Sequence, residues 1–182
     1  MRMRILLHIC CGVCAAGAVQ ELKAQGHSVT GFFYNPNIYP EEEYHRRLGS
    51  VQKAAEQLGF ELYIGKYDHN EWLSLAGKFK EEPEGARRCE ICFHARIKRT
   101  YEHFLNGDFD AFTTTLTIGP MKNASLINDI GSRLAGNSFL QADFKKKDGF
   151  KKAMELARAW ELYRQNYCGC EWTRDGVTPH LK

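Results

Sequence analysis

The feature that most constrains the fold is a short apolar run near the start of the chain, RILLHI at Arg4 to Ile9, which stops at two adjacent cysteines. A nearly continuous apolar run of this length is typical of a strand buried on both faces of a parallel sheet. Val19 and Leu22 follow at helical spacing, and Gly26 can end that helix in the left-handed conformation. The chain therefore opens with a predicted strand, loop and helix.

The alternation of strand and helix continues along the chain. Val29 to Tyr34 is predicted as the second strand, and Phe60 to Ile64 and Ala111 to Leu116 as the third and fourth. Between the second and third strands, apolar residues from Glu41 onward step by three and four until Gly59, which predicts an amphipathic helix packed on a sheet. Further helices are predicted at Asn70 to Phe79, Glu90 to Leu105, Lys122 to Leu134 and Phe150 to Tyr167.

Strands that alternate with helices imply right-handed crossovers and a parallel sheet covered on both faces, so the predicted fold class is α/β. With 182 residues and 43% hydrophobic content, the chain suits a single domain over residues 1–182. Ligands of such sheets lie beyond the carboxyl ends of the strands, where the loop CCGVC after the first strand is expected. Glu71 to Leu105 is predicted to pack over that edge as a helical insertion.

All seven cysteines fall into three short clusters. The clusters are Cys10, Cys11 and Cys14; Cys89 and Cys92; and Cys168 and Cys170. The sequence has neither an apolar run of about 18 residues nor a cleavable signal pattern, so we expect a cytoplasmic protein. In that reducing compartment, clustered cysteines are more typical of metal binding or catalysis than of a disulfide framework.

The first two clusters have the spacing of metal ligands. CCGVC leads into a helix, whose N-terminal dipole favours thiolate over thiol. Cys89 and Cys92 form a CxxC that can direct both thiols at one centre. With Cys10 and Cys11 they can complete four-thiolate ligation of either zinc or a [4Fe-4S] cluster. A structural zinc would leave three cysteines unused, which favours iron and sulfur, whereas a single cysteine such as Cys14 can simply be a buried apolar residue.

The third cluster, CGC, has a different chemistry. A disulfide requires Cα atoms about 4.4 to 6.8 Å apart, which a single intervening residue allows only under strain. Strained disulfides are the labile and catalytic ones. Cys168 and Cys170 are therefore predicted to transfer electrons rather than to stabilise the fold as a structural disulfide.

Taken together, LLHICCGVC, RCEIC, TTTLTIGPMKN and RQNYCGC resemble the QueH type of epoxyqueuosine reductase over nearly the whole chain. The resemblance implies an adenine-nucleotide α-hydrolase-like fold, related to that of the PP-loop enzymes. It also implies an oxidoreductase that removes the epoxide oxygen of epoxyqueuosine at the wobble position of a tRNA anticodon. The products would be queuosine and water, in the last step of queuosine biosynthesis.

Residue roles follow from the same resemblance. It implies that the ligands of a [4Fe-4S] cluster are Cys10, Cys11, Cys89 and Cys92. It implies a redox-active pair in Cys168 and Cys170, and an adjacent second metal ion, iron, with Cys14 as a ligand. The implied partners are tRNA carrying epoxyqueuosine and an electron donor that the sequence does not identify, with no membrane involved.

A formal net charge of +3 permits a nucleic-acid partner without requiring one. The predicted phosphate contacts are Arg87, Arg88, Arg96, Arg99, Lys145 to Lys147 and Arg164, and the predicted stacking residues are Tyr34, Tyr39 and Phe93. The sequence has no GxGxxG and no GxxxxGKS, so no nucleotide cofactor is predicted. The alternative from another class is a zinc-binding RNA or protein interaction module without redox activity.

Overall fold

A four-stranded parallel sheet forms the centre of the computed structural model, which describes residues 2–174. Its strands are β1 (Arg4–Ile9), β2 (Ser28–Phe33), β3 (Glu61–Ile64) and β4 (Ala111–Thr114), in the order β3-β2-β1-β4. β1 lies between two parallel neighbours, and five of its six residues are buried. This central position explains the apolar run and confirms the predicted parallel α/β sheet.

Helices cover both faces of the sheet. Within the described residues the α-helices are α1 (Gly12–Ala24), α2 (Glu41–Leu58), α3 (His69–Ala76), α4 (Arg87–Leu105), α5 (Ala124–Ala135), α6 (Gly149–Ala159) and α7 (Glu171–Arg174). Single turns of 3-10 helix lie at Gly77–Phe79, Thr115–Ile118 and Gly136–Ser138. No helix between residues 2 and 174 is both long enough and apolar enough to cross a membrane.

The strand period of two divides the core between the two faces. Ile5, Leu7 and Ile9 of β1 pack in the cluster formed with α1, α2 and α6. Leu6 packs in a second cluster, together with side chains of α4 and α5. Because each face of β1 contributes to a separate core, a register shift of one residue would bury the wrong set of side chains.

The predicted helical insertion consists of α3, one 3-10 turn and α4, and α4 also provides the crossover from β3 to β4. Several predicted bounds differ from the structure by one to eight residues, and two of the differences have a clear cause. β4 ends at Thr114, whose hydroxyl accepts a hydrogen bond from the Leu116 N–H and starts a 3-10 turn. α6 ends at Ala159 rather than at Tyr167, because the Leu162 N–H turns back to the Ala157 carbonyl at 2.8 Å. The segment that leads to CGC is therefore a loop and not a helix.

Candidate metal and redox site

Three cysteine clusters that are far apart in the sequence line one cavity of about 110 Å³. Residues that follow the ends of β1, β2 and β4 contribute to its wall, so it lies at the carboxyl edge of the sheet. The cysteines in its lining are Cys10, Cys14, Cys89, Cys92, Cys168 and Cys170. Cys11 is 1% exposed and packs in the core against α1, next to this lining.

The first cluster is held by the junction between β1 and α1. Cys11 is the N-cap of α1, and its Sγ accepts a hydrogen bond from the Cys14 N–H at 3.3 Å. Thr115, in the 3-10 turn that follows β4, fixes Cys10, because its hydroxyl lies 3.2 Å from the Cys10 Sγ and accepts from the Cys10 N–H at 3.1 Å. The Sγ atoms of Cys10, Cys11 and Cys14 all lie within 4.8 Å of one another. This spacing suits a metal or a metal cluster.

Glycine at position 12 allows α1 to approach α2 at this point. A Cβ on Gly12 would lie 2.2 Å from the Ser50 Oγ and 2.6 Å from the Ser50 carbonyl oxygen. Any side chain here would force the two helices apart and would move the three thiols. The glycine of CCGVC is therefore a packing requirement of the cluster.

The protons of this cluster are unevenly shared. Hydrogen bonds from Cys11 and Cys14 lower the pKa of Cys10 well below its usual value. The same interaction with Cys10 raises the pKa of Cys11 to about 12 and that of Cys14 well above the ordinary range. In the metal-free protein the Cys10 thiolate therefore accepts hydrogen bonds from the thiols of Cys11 and Cys14. Metal binding has to displace the two remaining protons, so affinity will depend on pH.

The second pair lies in the first two turns of α4. Cys89 accepts a hydrogen bond from the Gly85 N–H at 3.2 Å. Burial raises the pKa of both Cys89 and Cys92, while the nearby charges of Lys122 and Arg96 oppose the rise at Cys92. Both side chains are 8% exposed. Both thiols therefore ionise less readily than an exposed cysteine, in spite of the cations nearby.

The third pair sits in a loop whose shape requires glycine. Gly169 has φ +112°, and a Cβ there would lie 2.9 Å from Nη1 of Arg47 and 3.0 Å from Cγ1 of Ile38. Arg47 donates hydrogen bonds to the carbonyl oxygens of Cys168 and Tyr167 at 3.0 and 3.1 Å. This buried guanidinium therefore fixes the loop against α2.

Cys168 and Cys170 are both free thiols that interact with each other. A hydrogen bond from Cys170 lowers the pKa of Cys168 to about 5 against the effect of burial, and Lys122 adds to the lowering. The same bond raises the pKa of Cys170 strongly. At neutral pH the pair is a thiolate beside a thiol, which is the arrangement of a reactive dithiol.

Some residues of the cavity were misjudged or missed by the sequence reasoning. Arg88 and Arg96, predicted as phosphate contacts, are 1% and 5% exposed and offer no surface to an RNA backbone. Lys122 was not identified as a site residue from the sequence, although it lies in the motif TIGPMKN. It lines the cavity and forms an ion pair with Glu84 at 3.1 Å. Its position could have indicated a role, because Lys122 follows β4 at the carboxyl edge of the sheet, where ligands of such folds bind.

A larger open groove, of about 710 Å³, runs along α4 between α3 and α5. Its lining mixes acidic, basic and apolar side chains and includes no cysteine among the residues described. The smaller cavity is therefore the candidate site, because the reactive groups lie there. Trp72 borders both cavities and is 1% exposed.

A parallel α/β sheet that collects thiols at its carboxyl edge defines a cysteine-rich protein of the PP-loop-related fold class, with a site suited to metal binding. Two solved structures support the fold. A predicted subunit of tRNA methyltransferase from Methanocaldococcus jannaschii aligns with TM-score 0.57 and 14% identity, over 86% of this chain and 74% of that one. The U34-tRNA thiolase NcsA from Methanococcus maripaludis, solved with its [4Fe-4S] cluster, aligns with TM-score 0.52 and 15% identity, over 96% and 64%.

The chain belongs to the QueH family of epoxyqueuosine reductases, whose sequence profile matches residues 5–175. It is 35% identical over 179 residues to the epoxyqueuosine reductase QueH of Streptococcus pyogenes serotype M1, covering 93% of this chain and 70% of that relative. It is 31% identical over 172 residues to the Thermotoga maritima enzyme, covering 91% and 88%. These matches confirm the resemblance, and none of them supports a zinc-binding interaction module.

Proposed function

We propose that this protein reduces epoxyqueuosine at the wobble position of a tRNA anticodon to queuosine, in the cytoplasm. The observation that carries the proposal is the convergence of six cysteines from three distant clusters on one cavity, in a chain of the QueH family. An epoxide that becomes an alkene consumes two electrons and two protons and releases water. The site must therefore supply both electrons and protons.

The dithiol of the CGC loop matches this demand. When the Cys168 thiolate and the Cys170 thiol join in a disulfide, one S–H bond is lost, and two electrons and one proton are released. With a second proton taken from water, thiolate, thiol and epoxide give disulfide, alkene and water, and the atoms and charges balance. The split pKa values of the pair support this role, because Cys168 is a thiolate at neutral pH and Cys170 retains a proton. An external reductant must then return the disulfide to the dithiol.

The donor set fits an iron-sulfur cofactor. Sulfur is the preferred ligand of such clusters, and the cavity wall is rich in buried thiols. We infer that a [4Fe-4S] cluster is held by Cys10, Cys11, Cys89 and Cys92. When bound, it supplies one-electron transfer and a Lewis-acidic iron. The Cys14 thiol lies within 4.8 Å of those of Cys10 and Cys11 and would be a ligand of the second metal site, an iron ion beside the cluster.

The exposed basic side chains that remain as candidates for tRNA contact are Arg87, Lys146, Lys147 and Arg164. Arg164 precedes the CGC loop by only a few residues, and Arg87 begins the helix that carries Cys89 and Cys92. Positive charge beside two cysteine clusters would bring an RNA backbone close to the cavity entrance.

The experiment is anaerobic turnover of tRNA carrying epoxyqueuosine, with the queuosine nucleoside counted by mass spectrometry after digestion. The wild-type protein should be brown, should contain about four or more irons per chain, and should form queuosine with a chemical reductant. Cys168→Ser should keep the colour and the iron but form no queuosine, whereas Cys10→Ser should lose both the iron and the activity. A colourless, zinc-replete wild-type protein, or normal turnover by Cys168→Ser, would overturn the respective assignment.

A further inference from the structure

Arg96 is a buried cation of the cavity wall without a carboxylate partner in residues 2–174. Arg96 lies on α4, one turn after Cys92, and is 5% exposed. Its Nη2 donates to the neutral Oδ1 of Asn35 at 2.5 Å, while its Nε has no hydrogen-bond partner among residues 2–174. Within that range, no carboxylate lies within 4 Å of its guanidinium nitrogens. A buried cation without such compensation is costly, by several kcal/mol.

The other two buried arginines of the cavity wall each have several acceptors among the described residues. Arg47 pairs with the Glu43 carboxylate at 2.7 Å. Arg88 donates through Nη1 to the carbonyl oxygens of Lys80 and Glu82 and lies over the ring of Trp172. Arg96 has one oxygen acceptor, the Asn35 side chain, and no carboxylate partner within residues 2–174. Negative charge opposite it has to come from the thiolates of the cavity and from what they bind.

The position of Arg96 indicates where that charge belongs. Arg96 lies one turn after Cys92 on α4, and its side chain lines the same cavity as the thiols of Cys10, Cys89 and Cys92. Negative charge opposite Arg96 is therefore expected at these thiols.

A second buried donor faces the same cavity. Trp72 is 1% exposed, and its Nε1 has no hydrogen-bond partner in the part of the chain described. Together with the Arg96 Nε, it gives the cavity two N–H groups that need an acceptor. Sulfur atoms of a thiolate-ligated cluster accept such bonds, and the whole cluster carries a net negative charge.

We propose that Arg96 is the positioning residue that compensates the negative charge of the thiolate-bound cluster and donates its Nε–H to a sulfur atom there. The proposal rests on the cluster assignment made under the proposed function. Positive charge and hydrogen bonds at the sulfurs favour the reduced state, so Arg96 both retains the cluster and makes its reduction easier. The buried cation is unfavourable without the cluster and favourable with it.

The test compares Arg96→Met with Arg99→Met, which carries the same change on the same helix. Arg99 faces the open groove and forms ion pairs with Glu71 and Glu102 at 3.6 and 3.5 Å. Thermal unfolding is measured with and without reconstituted iron and sulfide, together with the rate of iron release to a chelator and the midpoint potential. If Arg96 had a purely structural role, Arg96→Met would lower the unfolding midpoints of the loaded and the metal-free protein equally. The difference between the two midpoints would then stay unchanged.

We expect Arg96→Met to shrink the difference between the loaded and metal-free midpoints, to release iron roughly tenfold faster and to shift the potential to more negative values. Arg99→Met should match the wild-type protein, and Arg96→Lys should recover most of the iron retention. If Arg96→Met does not fold, Arg96→Gln, which keeps an amide donor for Asn35, replaces it.

Wild-type iron release and potential in Arg96→Met would overturn the proposal, as would weaker tRNA binding with an unaltered cluster. A wild-type protein that holds its cluster but does not convert epoxyqueuosine would refute the proposed function alone. In that case the effect of Arg96→Met on the cluster would still stand.

Discussion

The buried ion pair between Glu43 and Arg47 gives the sharpest prediction, because it connects α2 to the CGC loop. Arg47 is 2% exposed, and its Nε lies 2.7 Å from the Glu43 carboxylate. The second carboxylate oxygen accepts from the Tyr163 hydroxyl at 2.8 Å. Replacing Arg47 by Met leaves a buried carboxylate with one neutral donor and the exposed Arg46 guanidinium at 3.6 Å. It also leaves two loop carbonyls, those of Cys168 and Tyr167, without their donor.

Removing one partner of a buried pair costs about 3–5 kcal/mol, mostly from the charge left behind. We therefore expect Arg47→Met to lower the free energy of unfolding of the metal-free protein by that amount, as measured by urea denaturation. The double variant Glu43→Gln with Arg47→Met should recover part of the loss, because the stranded charge is gone. Arg46→Met is the matched control, since Arg46 is 60% exposed and lies 3.6 Å from Glu43. It should cost at most about 1 kcal/mol.

The same substitution should free the CGC loop. Cys168 and Cys170 should react faster with an alkylating reagent in Arg47→Met than in the wild-type protein, while Cys89 and Cys92 keep their rate. The reasoning would be refuted if Arg47→Met cost no more than Arg46→Met, or if the double variant were less stable than Arg47→Met alone. Either result would mean that the pair does not hold the loop.

Three further predictions concern the same edge of the sheet. Gly169→Ala forces a Cβ against Arg47 at φ +112° and should cost about 1–3 kcal/mol in urea unfolding; an unchanged midpoint would contradict the loop geometry. Thr115→Ala removes the hydroxyl at 3.2 Å from Cys10 and should weaken iron retention about 10–100-fold in chelator competition, whereas Thr173→Ala, beside Cys168, should not. Binding of tRNA should weaken as salt is raised, and Lys146→Ala should reduce the slope of log affinity against log salt by about 1 if it contacts a phosphate.

The strands and the first helices were predictable because their signals are local. β1 was predicted with its observed bounds, since a short apolar run is sufficient to mark a buried strand. α2 ends at Leu58, next to the predicted stop at Gly59. The last long helix was predicted too long, because residues 160–167 contain neither glycine nor proline to stop it. The chain leaves the helix there because Ser50 and Arg47 of α2 hold carbonyl groups of that segment.

Charge was the property that the sequence predicted least well. Arg88 and Arg96 appeared as surface charges, because an arginine in a helical pattern is usually solvated. Their burial depends on acceptors elsewhere in the chain, such as the Lys80 carbonyl for Arg88 and the Asn35 side chain for Arg96. A local pattern contains no information about partners at such distances along the chain.

The sequence by itself determined which reactive groups this protein carries. Three cysteine clusters, a glycine in each tight loop and the alternation of strands and helices were enough to indicate a thiol-based site on an α/β sheet. Only the tertiary structure decided which thiols meet and which charges face them. The parallel sheet brings the carboxyl ends of β1 and β4 together, and α4 and the CGC loop close over that edge. The hydrogen bonds between thiols and the burial of arginines at this edge depend on distances between residues that are far apart in the sequence. The spacing of residues along the chain does not determine those distances.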